Sequence, residues 1–170
     1  MLKIFNDLSI FFEDCYSKLT VREYSKIRKV SPPTASSWLK MYEKEGLLLS
    51  MKERNMNLFF ANRENPIFVR LSQLYWFIRF LKIGLIEYLK KEYLNPTIVL
   101  FGSLSKAETL KNSDVDLAVF SSLDHQTNLS SFENILKREI HVFVFKSLKD
   151  IKNRHLRNNI QNGYLLCGKW

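Results

Sequence analysis

Residues 98–120, IVLFGSLSKAETLKNSDVDLAVF, constrain what this chain can fold into more than any other stretch. Two apolar runs, 97–101 and 115–120, flank a polar insert, a strand-turn-strand pattern. Gly102-Ser103 closes the first run, Asp114-Val115-Asp116 opens the second, and ten residues lie between Ser103 and Asp114. Side chains alternate across a strand, so Asp114 and Asp116 are expected on one face with Val115 in the core. Two carboxylates on one face make a hard-oxygen site suited to Mg²⁺, whose shell is completed by water and phosphate oxygens. Gly102 removes a Cβ that would hold a phosphate off the backbone. Ser103 offers a hydroxyl and an N–H where a short helix, about 104–110, is expected to begin.

The Gly-Ser pair, the ten-residue spacer, the Asp-X-Asp and the two apolar strands together resemble the DNA polymerase β-like nucleotidyltransferase superfamily, and its minimal nucleotidyltransferase branch in particular. The resemblance spans about 75 residues, 96–170. It implies Asp114 and Asp116 as metal-holding catalytic residues for Mg²⁺ or Mn²⁺. It also implies Gly102 and Ser103 as the cradle of the β and γ phosphates of a nucleoside triphosphate, ATP being the expected one, with Lys106 or Lys111 neutralising its charge. In active relatives a third carboxylate stands on the next strand, expected here over Glu139–Phe145 (EIHVFVF), and His141 falls at that position. A neutral imidazole is a poor Mg²⁺ ligand, though it suits a base or Mn²⁺. Glu139, one step away on the same face, replaces the missing carboxylate only if the strand slides or bulges. The enzyme reading therefore leans towards a nucleotidyltransferase, with nucleotide binding favoured over fast transfer.

The chain ahead of this segment reads as a different unit. Residues 2–14 show apolar residues at helical spacing, and Thr20 with Glu23 forms a capping-box pattern opening a helix over about 20–28. Ser31 and Pro32 suit the cap and first position of a third helix, about 32–45, ending at Gly46. LLLSM and MNLFFA then read as strands on either side of Lys52-Glu53-Arg54-Asn55. Two helices, a tight turn and a basic-tipped hairpin resemble a winged helix-turn-helix. That resemblance implies double-stranded DNA as a partner. Thr34, Ser36, Ser37 and Lys40 would face base edges, Lys52 and Arg54 the backbone, and Arg22, Lys26 and Lys29 further phosphates. A winged helix serving only protein interaction is the alternative.

Residues 64–94 carry apolar residues for some seven turns, with Gly84 marking a bend or close contact, until Asn95-Pro96 stops the helix. The run 74–78 is apolar all round and needs a covering surface: a second copy in a homodimer is expected, with burial by both flanking domains as the alternative. Beyond the Asp-X-Asp strand, Ser131 is expected to cap a helix over 132–138, Ser147–Asn162 to form a final helix, and 163–168 to close the domain.

The expected fold is therefore α+β: a winged helix over 1–62, a linking or dimerisation helix over 63–95, and a nucleotidyltransferase-like α/β domain with a small mixed sheet over 96–170. Of the formal net charge of +9, +6 falls before Pro96, which favours an anionic partner there. Two cysteines far apart fit a reduced, cytoplasmic protein without structural zinc, and charges within 68–94 argue against a membrane span. The resemblance further implies transfer of an AMP-type nucleotide to a partner, in the manner of antitoxins that modify a small helical toxin-like protein. The alternative is an inactive nucleotide sensor or scaffold in a transcription regulator.

Overall fold

The structure, a computed structural model, describes residues 2–169. Helices and strands mix in an α+β arrangement with one sheet of three strands and one of four. Two units separate: one runs up to Ser72 and includes Ala107–Lys111, and the other comprises Gln73–Lys106 and the chain from Asn112 onward.

In the first unit, α1 (Lys3–Glu13) buries Phe5, Leu8, Phe11 and Phe12. α2 (Val21–Arg28) opens on a complete capping box: the Thr20 hydroxyl accepts from Glu23 N–H, and the Glu23 carboxylate accepts from Thr20 N–H at 2.8 Å. α3 (Pro32–Lys44) is capped by Ser31 and buries Ala35, Leu39 and Tyr42. Tyr42 donates to the buried Asp7 carboxylate at 2.7 Å, Tyr24 donates to the Asp7 carbonyl at 2.9 Å, and Lys3 pairs with the same carboxylate. This network ties all three helices to one residue, Asp7, through its carboxylate and its backbone carbonyl. The sheet has the order β1–β3–β2, all antiparallel, from β1 (Leu19–Thr20), β2 (Leu48–Glu53) and β3 (Met56–Ala61). Arg54 and Asn55 turn the β2–β3 hairpin with φ of 46° and 63°, the left-handed pair of a two-residue loop.

The single long helix expected after Pro66 is two helices, α4 (Pro66–Lys82) and α5 (Leu85–Glu92). Gly84, at φ 79°, ends the first and begins the second, because a left-handed residue breaks the ladder of i→i−4 hydrogen bonds. Tyr75, Trp76 and Phe80 are buried within the chain.

The four-stranded sheet has the order β6–β5–β4–β7, from β4 (Thr97–Phe101), β5 (Val115–Phe120), β6 (Ile140–Phe145) and β7 (Tyr164–Cys167). β5 and β6 run parallel and the other pairs antiparallel, so the sheet is mixed. Val99, Phe101, Ala118, Ile151 and Ile160 form the core of one face, with Phe120, Phe145, Leu148 and Leu156 against it. α6 (Ser130–Leu136) begins one residue before its expected cap, so Ser131 is helical and Leu129 stands at the N-cap. The helix expected over Ser147–Asn162 is instead a 3-10 turn (Leu148–Asp150) followed by α7 (Arg154–Gln161). The Asn153 side chain accepts from His155 and Leu156 N–H, which fixes the later start. Among the described residues no helix is long and apolar enough to cross a membrane.

Candidate nucleotide site

Antiparallel pairing sets Phe101 opposite Asp116, so the chain leaving β4 turns directly beside the second aspartate. Gly102 makes that turn at φ 73°, and a Cβ placed on it would lie 2.3 Å from Asp116 Oδ2. Glycine is thus required twice over, by the backbone angle and by the carboxylate. The helix expected over 104–110 is a single 3-10 turn, Ser103–Lys106, because Ala107 leaves it in the left-handed region at φ 54°. The Ser105 hydroxyl donates to the Gly102 carbonyl at 2.8 Å and the Gln73 amide donates to the Ser105 carbonyl at 2.6 Å, which fastens the corner from below.

Asp114 stands just ahead of β5 and Asp116 within it, both half-buried. Burial pushes the Asp116 carboxyl above its ordinary range; His141 works against that shift and the Asp114 charge adds to it. The unbroken β5–β6 register puts His141 opposite Asp116, with Nδ1 3.5 Å from Asp116 Oδ1 and Nε2 3.7 Å from Glu139 Oε2. The strand neither slides nor bulges here, so Glu139 stays one step along, behind the imidazole. Phe143 packs edge-on to both His141 and Phe101, which fixes the ring side of the site.

A partly buried carboxylate destabilised as an anion, beside a second one, is a place where a cation gains energy. Among the described residues no group of three or more His, Cys, Asp or Glu side chains is arranged to hold a metal ion. The donor set nevertheless fits one hard divalent ion, held by Asp114 and Asp116 and completed by water and phosphate oxygens.

Of the candidate phosphate ligands, Lys106 is exposed and donates to Asn159 Oδ1 at 3.1 Å, which ties the corner to α7. Lys111 is exposed and belongs to the segment grouped with the first unit. Sequence reasoning missed Ser105, Gln73 and Arg138. Arg138, 8% exposed, donates to the Ser113 carbonyl at 2.5 Å and stacks over Trp76, anchoring the approach to Asp114. No local pattern in the sequence signals these partners, because each lies 25 or more residues from what it holds, apart from Ser105.

In the first unit, Ser37 and Lys40 are exposed on α3, while Thr34 and Ser36 are half-buried. The Thr34 hydroxyl shares a 2.8 Å hydrogen bond with Ser31 Oγ, at the helix cap. Lys52 and Arg54 are exposed on the hairpin, and Arg22, Lys26 and Lys29 on and after α2.

No curated protein and no solved structure matches the chain. Residues 83–167, half of its length, match the family model described as the nucleotidyltransferase domain. The match takes in the Gly102 corner, both aspartates and His141, and on that ground the chain belongs to the nucleotidyltransferase domain family.

Proposed function

We propose that the second unit binds a nucleoside triphosphate, ATP being the expected one, with Mg²⁺ or Mn²⁺ and transfers an AMP-type nucleotide to a partner. The observation that carries this reading is the seating of Asp116 against the glycine corner, with Asp114 before it and His141 opposite. In such a transfer the acceptor oxygen bonds to the α phosphorus, the α–β phosphoanhydride breaks and pyrophosphate leaves. The ion, when bound, supplies charge neutralisation at the phosphates. Ser103 offers its hydroxyl and N–H to the phosphates, while Gly102 leaves room at the corner for the Asp116 carboxylate. His141, 3.5 Å from Asp116 and 3.7 Å from Glu139, is the group assigned in this reading to accept the proton of the attacking hydroxyl. The test is incubation with labelled ATP, Mg²⁺ or Mn²⁺ and cell lysate. Transfer disappears in Asp114→Asn/Asp116→Asn; a label that persists there contradicts the mechanism. Restoring the carboxylate by His141→Asp raises transfer.

His141 opposite Asp116 also favours a second reading, in which the site is a nucleotide sensor or scaffold without catalysis. In that case His141→Asp leaves transfer at zero while nucleotide binding persists.

The first unit is proposed to be a winged helix-turn-helix that binds double-stranded DNA. Its support is the order of α2, α3 and the β2–β3 hairpin, with Ser37, Lys40, Lys52 and Arg54 exposed. Lys40→Ala/Arg54→Ala weakens duplex binding and lowers the salt slope by about 2, roughly one unit per cation lost. The whole is then an antitoxin- or regulator-like cytoplasmic protein that works as a homodimer, its protein partner a small helical toxin-like chain.

A further inference from the structure

Beyond Asn95 the chain carries ten Lys and Arg against seven Asp and Glu, and they are not mixed: residues 146–169 hold six of the cations and one of the carboxylates. In space they border two neighbouring cavities that share Leu148 and Lys149. One, about 530 Å³, has Phe120 and Leu148 for an apolar floor and Lys146, Lys149 and Lys169 at its rim. The other, about 430 Å³, runs along one face of α7, where Arg154, Arg157, Asn158 and Gln161 follow at helical spacing. No carboxylate lines either cavity. Among the described residues none of Lys146, Lys149, Lys169, Arg154 and Arg157 is ion-paired. Five cations sharing a groove repel one another, and proteins keep such an arrangement solvated or facing a polyanion.

We infer that this groove binds single-stranded nucleic acid: the lysines and arginines follow the phosphates, and a base rests on the Phe120–Leu148 floor. Charge alone fits any polyanion, but an aromatic floor inside a cationic rim is the combination that stacks a base while neutralising its backbone. A duplex, its bases already stacked inside, has no use for such a floor. The groove is distinct from the nucleotide site. Thr97 and Phe120 lie at the opposite end of β4 and β5 from Phe101 and Asp116, four residues away or about 13 Å. α7, about 12 Å long, leads back from it, and Asn159 on that helix holds Lys106 at the Gly102 corner. The inference goes beyond the transfer reaction and stands on the groove alone.

The test uses the full chain with Lys40→Ala/Arg54→Ala in place, so that the first unit's proposed DNA contacts do not contribute. Fluorescein-labelled single-stranded RNA and DNA 12-mers are titrated by anisotropy at several salt concentrations. Adding Lys149→Ala/Arg154→Ala/Arg157→Ala, the first two exposed and Arg157 half-buried, weakens binding tenfold or more and lowers the salt slope by about 2, from roughly 0.7 for each of three cations. Unchanged affinity in that variant overturns the proposal. So does equal displacement of the 12-mer by a poly-glutamate chain of the same charge, which assigns the groove to an acidic protein. Calorimetry with ATP on the same variant separates the two sites. Normal ATP uptake with lost oligonucleotide binding supports a separate groove, and loss of both overturns it.

Discussion

Gly102→Ala probes the link between backbone and chemistry most sharply. A methyl at this position lies 2.3 Å from Asp116 Oδ2, and Cβ contacts below 3.0 Å are not tolerated, so the carboxylate must retreat by at least about 0.7 Å. The left-handed backbone at φ 73° costs an alanine about 1 kcal/mol more than glycine. Rotating Asp116 away from its seat adds a similar amount, about 1 kcal/mol. The sum is about 2 kcal/mol, or roughly 10 °C in the melting temperature of a unit of this size. Removing the obstructed carboxylate relieves half of it. In Asp116→Ala the same Gly102→Ala change then costs only the backbone part, a coupling of about 1 kcal/mol in a double-mutant cycle. Calorimetric melting of the four proteins in metal-free buffer measures that coupling without any appeal to activity. A displacement of this size also lowers nucleotide transfer, on the order of 100-fold. Strict additivity in the cycle refutes the contact between corner and carboxylate.

Other outcomes follow from buried groups. Burial raises the Asp116 carboxyl above its ordinary value of 3.8, so the folded chain holds that proton more tightly than the unfolded one. Its contribution to stability is complete below 3.8 and is lost as pH rises through the raised value. Metal-free Asp116→Asn therefore gains stability over the parent as pH climbs through that window and keeps the gain at neutral pH, as melting curves across pH will read. The buried Cys15 thiol is pushed up to about 11 by burial, leaving roughly a thousandth as thiolate at pH 8. Mass spectrometry after thiol labelling will find half-buried Cys167 modified first and Cys15 only on unfolding. Tyr42→Phe removes a donor from the 2%-exposed Asp7 and lowers stability by about 2 kcal/mol in urea melts.

Much of the local architecture was legible because its signals are short in range. The 97–101 and 115–120 runs became β4 and β5 with those bounds, and Thr20, Glu23, Ser31 and Pro32 cap the helices their types suggested. Gly84, expected to mark a bend, does so by splitting the long apolar stretch into α4 and α5. Two errors share one cause, a backbone event that periodicity does not carry: Ala107 stops the turn after Ser103, and Asn153 caps α7 midway through a helical-looking stretch. The role of Gly102 was only half visible. A missing Cβ signals a close approach at the corner, but that the Asp116 carboxylate is the nearest group follows from a β4–β5 register that no single segment encodes. The holds exerted by Gln73 and Arg138 were beyond reach for the same reason, since both act across long sequence separations.

Isothermal titration of the full chain with ATP in the presence of Mg²⁺ or Mn²⁺ tests the central claim most directly. The account predicts saturable uptake of one nucleotide per chain, dependent on the divalent ion and abolished in Asp114→Asn/Asp116→Asn. No heat with any of the common nucleoside triphosphates, or uptake undisturbed by the loss of both aspartates, contradicts it.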